Sequence, residues 1–260
     1  MSDQILWASV FFILGALLGS FGNVIILRLP KGESVVKPRS RCGSCNKQIA
    51  FYDNIPILSW FILRGKCRHC HAKFSFRYPF VELITGALFC GLFLTYGFQW
   101  ILIEYLIMAF GLVVVSFIDL DHFIIPDEFS LSGIVIGLLG ALANPDRSFW
   151  SAVAGVLFGG GILWAAAYIY LVLRKEDGMG GGDIKLLAWI GAVLGWTSLP
   201  LIVAFAGLSG AAIGLLTMSK DSGLKTAIPF GPHLAAGALV YMFAGQQITD
   251  WYFGLFVPPL

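Results

Sequence analysis

Charge is scarce in this chain. Asp, Glu, Lys and Arg make up 12% of its 260 residues against 58% hydrophobic, and the mean hydropathy is +0.82. Those values exclude an ordinary soluble domain. Cations are missing where a secretory leader would carry them: residues 1–4 hold no Lys or Arg, and the first apolar run ends without a small-residue cleavage pattern. That run is therefore expected to remain as a membrane helix. Cysteine is limited to five residues, four of them in one polar segment. No internal repeat or low-complexity tract stands out, and no glycine-rich dinucleotide-type loop marks a cofactor site.

What the chain has in quantity is long apolar runs, near residues 5–27, 80–98, 100–118, 129–144, 149–173, 184–198, 199–217 and 233–250. Most have about the 17–25 residues that cross a bilayer as a helix. They predict an all-α polytopic membrane protein with about eight transmembrane helices. The run at 184–198 is short, which draws the residues before it towards the membrane boundary. Cation placement sets the orientation. Threading eight spans from an outside N-terminus puts loops 28–79, 119–128, 174–183 and 218–232 inside, with Lys185 at the same boundary. Of the 17 Lys and Arg, only Arg147 then lies outside. Gly15/Gly19, Gly133/Gly137 and Gly155/Gly159 are spaced four apart within apolar runs, the small-xxx-small pattern of close helix packing in lipid.

Three regions follow: a first transmembrane helix at 1–27, a cysteine-rich loop domain at 28–79, and a membrane domain of seven helices at 80–260. The loop domain carries eleven of the Lys and Arg residues. "RCGSCNK" and "GKCRHCHAK" place Cys42/Cys45 and Cys67/Cys70 as two CxxC knuckles separated by 21 residues, close to the spacing of a zinc ribbon. Basic neighbours Arg41, Lys47, Lys66 and Arg68 favour the thiolate form. The alternatives are a disulfide pair or a redox CxxC, and the expected cytoplasmic placement argues against disulfides. His69 and His71 are substitute ligands only if a cysteine is not used. Fifty residues have little room for a core, so a structural zinc ion is expected to supply much of the folding energy. Cys90, alone in an apolar run, reads as a buried small hydrophobe.

Ionisable residues at membrane depth cost about 2.5–3.5 kcal/mol on insertion scales and are functional candidates by default. The candidates are Glu82, Glu104, Asp119, Asp121, Asp127 and Asp183. Asp119 ends the third span and Asp183 opens the sixth, at the same face. Two carboxylates at one depth can meet in a bundle and share a proton. That is the apparatus of an aspartic protease, in which one carboxylate activates water and its protonated partner polarises the scissile carbonyl. Glycines 180–182 suit such a site, since bare backbone approaches an extended substrate closely. On these residues alone, a transporter using the pair as a proton relay fits equally well.

"GMGGGDIKLL" contains a GxGD motif of Gly180, Gly181, Gly182 and Asp183, and "IDLDHFIIPD" places Asp119 64 residues before Asp183. With "LLGSFGNVIILRLP", the CxxC pairs around "NIPILSW", "RYPFVE" and "IPFGP", the chain from about 15 to 235 resembles the bacterial type IV prepilin leader peptidases, membrane aspartic proteases of the GxGD type. The resemblance implies that Asp119 and Asp183 are the catalytic pair, with Gly180, Gly181 and Gly182 as the active-site loop. It implies cleavage of type IV prepilins or pilin-like pseudopilins after a glycine, on the cytoplasmic side of the bacterial inner membrane, with the N-terminus periplasmic. It also implies N-methylation of the new N-terminus from S-adenosylmethionine, a donor site expected in the N-terminal third. Membrane lipid is a further partner and nucleic acid is not.

The remaining polar residues have simpler readings. Asp127, after Pro126 and before Glu128, reads as a helix cap, and Asp121 as a plain loop residue, with electrostatic assistance as the alternative. Lys185, two residues beyond Asp183, is off its helical face and reads as a positioning or headgroup-binding residue. Glu82 reads as a solvated helix start, Glu104 as a packing residue near the outer end of its span, and His122 and His233 as loop residues.

Overall fold

The computed structural model describes residues 2–175, 180–217 and 228–254. Parts of two predicted inside loops, 176–179 and 218–227, lie outside the described residues. Helices occupy all eight apolar runs: α1 (Ser2–Arg28), α3 (Arg77–Tyr96), α4 (Trp100–His122), α5 (Asp127–Ala143), α6 (Phe149–Arg174), α7 (Gly181–Leu194), α8 (Leu199–Thr217) and α9 (Gly231–Gly254), with a short α2 (Leu58–Ile62) in the polar segment. Five segments, centred on α1, α3, α4, α6 and α8, are long and apolar enough to cross a membrane. The other three are α5 and α7, with 17 and 14 residues, and α9, which carries the polar stretch "GQQITD". No strand is present among the described residues; two isolated bridges occur in the cysteine segment.

The chain forms two compact units, Met1–Ile118 and Asp119–Leu260. In the first, α1 and α3 run antiparallel and touch through glycine. A Cβ on Gly15 would stand 2.7 Å from the Thr85 carbonyl oxygen, and one on Gly19 2.8 Å from Glu82 Cα. Gly22 makes room for Phe110 and Val114 of α4. Arg77 opens α3, donates to the Phe117 carbonyl at 2.9 Å and lies 4.8 Å over the Phe117 ring. An arginine at this depth thus has both a backbone acceptor and an aromatic face.

In the second unit α7 is the hub, packed against α5, α6, α8 and α9. Its residues from Leu186 to Val193 are all buried, so no polar stripe is present to face lipid or water. Neighbours reach it where they have no side chains. Gly155 of α6 and Gly191 of α7 meet so closely that a Cβ on either would stand 2.0 or 2.1 Å from the other's carbonyl oxygen. Gly159 faces the Leu187 carbonyl, Gly133 of α5 the Trp189 ring, and Gly137 the Ala192 and Val193 side chains. The predicted glycine pairs are all contact positions. Arg147, the cation outside the predicted pattern, donates to the Ala192 carbonyl at 2.7 Å and the Gly137 carbonyl at 3.4 Å. Its charge meets the Ala192 carbonyl in the last turn of α7, where helix acceptors lack intrahelical partners, and a carbonyl of α5.

A side chain at the Gly155/Gly191 contact must push two helices apart. Gly155→Val is expected to lower unfolding stability in detergent by about 1–3 kcal/mol or more. Gly207→Ala, with nothing within 4 Å of its Cβ, should unfold like the parent. Thermal unfolding followed by circular dichroism compares the two, and equal destabilisation would contradict the packing argument.

Candidate active site and metal centre

Asp119 sits one turn before the end of α4 and is 5% exposed. The helix closes at His122, and Phe123 takes a left-handed φ of 55° while its N–H reaches back to the Asp119 carbonyl at 2.9 Å. A bulky residue rarely adopts that φ, so the turn carries strain next to the carboxylate. Pro126 then holds the chain extended before α5. The Asp119 carboxylate is satisfied from a distant segment: Oδ2 accepts the backbone N–H of Gly231, the first residue of α9, at 3.0 Å. The amide has no partner within its own helix, and a negative charge there is favoured by the helix dipole.

Asp183 is half-buried in the first turn of α7, whose N-cap is the extended Gly180. Its N–H donates to the Gly180 carbonyl at 3.2 Å. Ile125 joins the two segments. A Cβ on Gly182 would stand 2.8 Å from Ile125 Cβ, and one on Gly231 would stand 2.7 Å from Asp119 Oδ2 and 3.1 Å from Ile125 Cδ1. Nothing lies within 4 Å of a Cβ on Gly181. The end of α4, the start of α7 and the start of α9 therefore converge, and the Asp119 and Asp183 carboxyl groups lie within electrostatic reach of each other. Paired carboxyls of this kind can divide one proton between them and act together on a water molecule.

The structure corrects several simpler readings. Asp127 is not a cap, since α5 has no side-chain capping bond; its carboxylate accepts from Lys185 Nζ at 2.7 and 2.9 Å. That ion pair ties α5 to α7 beside the carboxylates and accounts for Lys185. Glu82 is not solvated: it is 8% exposed and its Oε2 accepts the Ile57 N–H at 2.7 Å. His233 is a buried residue of α9, not of a loop, and its Nδ1 lies 2.9 Å from Ser209 Oγ on α8. Glu104 is buried, and Asp121 and His122 are exposed. Cys90 is half-buried. Sequence reasoning did not single out Gly231 or Ile125 as site residues. Both sit in quoted stretches, "IPFGP" and "IDLDHFIIPD", and a Gly-Pro pair opening a helix is a signal for a close approach of backbone.

In the first unit the sulfurs of Cys42, Cys45, Cys67 and Cys70 all lie within 4.8 Å of one another. Cys42 and Cys70 are 3.7 Å apart and Cys45 and Cys67 4.0 Å, far beyond the roughly 2.05 Å of a disulfide. The knuckles repeat one geometry. Cys42 N–H donates to the Lys47 carbonyl and Cys67 N–H to the Ala72 carbonyl, both at 2.9 Å, and the residues after the second cysteines, Asn46 and His71, have φ of 58° and 57°. His71 is thus a turn residue. Backbone N–H groups of Cys45 and then Ser44 aim at the Cys42 sulfur and hold its thiol down at about 6; those of Cys70 and His69 lower Cys67 in the same way. Cys42 and Cys67, made acidic by their own turns, are two members of a donor set ready for a metal ion, while burial and the three neighbouring thiols push Cys70 up to about 11.

The Bacterial Peptidase A24 N-terminal domain model matches residues 13–96, which include the four cysteines, and the Type IV leader peptidase family model matches 106–215, which include both aspartates. A prepilin leader peptidase/N-methyltransferase of Aeromonas hydrophila is 37% identical over 272 residues, covering 95% of this chain and 94% of that protein. Proteins of the same description from Stutzerimonas stutzeri and Pseudomonas aeruginosa are 37% and 35% identical, covering 96% and 92% of this chain and 95% and 91% of their own lengths. No solved structure matches. Full-length similarity on this scale, with the four-cysteine cluster and the converging aspartates inside the matched regions, means that the chain belongs to the type IV leader peptidase family.

Proposed function

We propose that this protein is a prepilin leader peptidase with a second, N-methyltransferase activity. The observation that carries the reading is the convergence of Asp119 and Asp183, from segments 64 residues apart, beside backbone kept bare by Gly182 and Gly231. Family membership favours proteolysis over a proton relay. In the proposed reaction one carboxylate takes a proton from water, which attacks the carbonyl carbon of the leader's last glycine; the C–N bond then breaks and that proton passes to the leaving amine. The protonated partner donates to the carbonyl oxygen, and no acyl-enzyme forms. Gly181 and Gly182 are the first residues of α7 and not a loop; with the extended Gly180 they form the bare backbone along which the extended leader lies. The substrates are type IV prepilins or pseudopilins, held with their hydrophobic segments in the lipid.

The cation distribution supports an inner-membrane placement with the N-terminus periplasmic and both the aspartates and the cysteine loop cytoplasmic. It also supports a division into a first helix (1–27), a cysteine domain (28–79) and a peptidase domain (80–260). The metal is zinc. Four thiolates at about 2.3 Å from a tetrahedral ion stand about 3.8 Å apart, close to the Cys42–Cys70 and Cys45–Cys67 separations of 3.7 and 4.0 Å. With all four positions filled by sulfur, the ion is structural. S-adenosylmethionine is the methyl donor.

Asp119→Asn and Asp183→Asn, made separately, should each lower leader cleavage in detergent by at least about 100-fold, the scale of lost acid-base catalysis. Near-parental cleavage by either would sink the mechanism. Gly182→Ala and Gly231→Ala should be far more damaging to cleavage than Gly181→Ala, because only the first two place a methyl group against Ile125 or Asp119. Elemental analysis should find about one zinc per chain. Its occupancy should fall as pH drops, since protons compete for the thiolates. Chelation should make residues 29–76 sensitive to protease.

A further inference from the structure

The first unit encloses a cavity of about 840 Å³ to which the peptidase chemistry gives no use. Its size falls within the roughly 300–1,000 Å³ of small-molecule sites. Three of the unit's few buried polar residues, Asn23, Ser59 and Glu82, line it. Each is fixed by the surrounding backbone. Asn23 donates to the Tyr78 carbonyl at 3.1 Å, and Ser59 Oγ accepts the Ile55 N–H and donates to the Tyr52 carbonyl, both at 3.0 Å. Glu82 accepts the Ile57 N–H and the Ser20 hydroxyl. Ile57 holds a φ of 64°, a costly conformation for a β-branched residue. The Glu82 contact helps maintain it. The wall is aromatic at Trp60, Phe74 and Tyr78, and cationic at Arg28, Lys47 and Lys73.

Methyl transfer to an amine needs a donor that combines a planar base, a carboxylate and a cationic sulfur. It also needs a group to take the proton that the amine releases. Aromatic faces suit the base, lysine and arginine suit the carboxylate, and a buried carboxylate suits the released proton. We propose that this cavity binds the sulfonium methyl donor and that Glu82 accepts the proton of the substrate's N-terminal amine. The proposal rests on the methyltransferase half of the function above. The amine nitrogen forms its bond to the methyl carbon as the carbon–sulfur bond breaks. Sulfur keeps that electron pair and leaves as a neutral thioether, and the proton passes from nitrogen to the Glu82 carboxylate.

The test uses full-length protein in detergent, with S-adenosylhomocysteine as the binding probe and tritiated S-adenosylmethionine for photo-crosslinking. Label is expected on peptides within 1–118. Val24→Trp, which fills the cavity from α1, should weaken S-adenosylhomocysteine at least tenfold while zinc content and unfolding temperature stay parental. Glu82→Gln can still accept the Ile57 N–H. It should bind the probe within about threefold of the parent and lose at least about 100-fold in methylation, read by mass spectrometry of the processed N-terminus. Label confined to 119–260, undiminished probe binding by a folded Val24→Trp, or parental methylation by Glu82→Gln would overturn the proposal. A parent protein that cleaves prepilin but neither binds the probe nor methylates would overturn the methyltransferase reading and this site with it.

Discussion

A carboxylate buried at the end of an apolar helix must be satisfied, and the second unit depends on how Asp119 is. Its Oδ2 takes the free amide that opens α9, so one bond answers two deficits: an acceptor without water and a donor without a helical partner. The bond fixes the start of α9 against the end of α4. It also requires glycine at 231, since any Cβ there would collide with the same oxygen. Asp183, at the start of α7, sits in the field of its neighbour. The environments are unequal, and unequal environments are what assign acid and base roles within a pair of like groups.

The position of Asp183 is set by a different constraint. Helix α7 is 14 residues long and buried along its last two turns. A helix so enclosed cannot tilt or slide without moving its neighbours, and the backbone contact between Gly155 and Gly191 brings α6 closer than any side chain would allow. The ion pair between Lys185 and Asp127 adds a tie at the N-terminal end. It is exposed and contributes little stability on its own. Its effect is geometric, holding the start of α5 near the first turn that carries Asp183.

Much of this was legible in the residues. Apolar runs of helical length located all eight long helices, and the fourfold spacing of glycines located the contacts between them, because both patterns are local. The cysteine knuckles were equally plain, since a CxxC turn dictates where its sulfurs point. What the sequence hid was partnership between distant segments. Glu82 looks like a solvated helix start until the loop containing Ile57 folds over it. His233 looks like a loop residue until α8 supplies Ser209. Asp127 has the position of a cap, yet the opposing helix offers it a lysine. Gly231 belongs to a proline-flanked stretch that marks a turn without naming the oxygen it approaches. In each case the deciding group lies more than twenty residues away, beyond the reach of periodicity.

The two buried carboxylates with identified backbone donors, Glu82 and Asp119, share one device: each accepts an N–H from a segment remote in sequence, Ile57 or Gly231. In lipid, a carboxylate so bound is cheaper to bury than a free one, and it also becomes a fixed point around which a loop is shaped. Around Asp119 the shaped element is a strained turn at Phe123 and bare backbone at Gly182; around Glu82 it is a strained Ile57 and a cavity wall. Strain in such positions persists only where surrounding contacts over-determine it, and it concentrates where a backbone is held for a ligand. A purely structural carboxylate would need neither the strained residue nor the open space beside it. Both features are present at Glu82, which is the physical reason to assign that residue a chemical task and not a packing one.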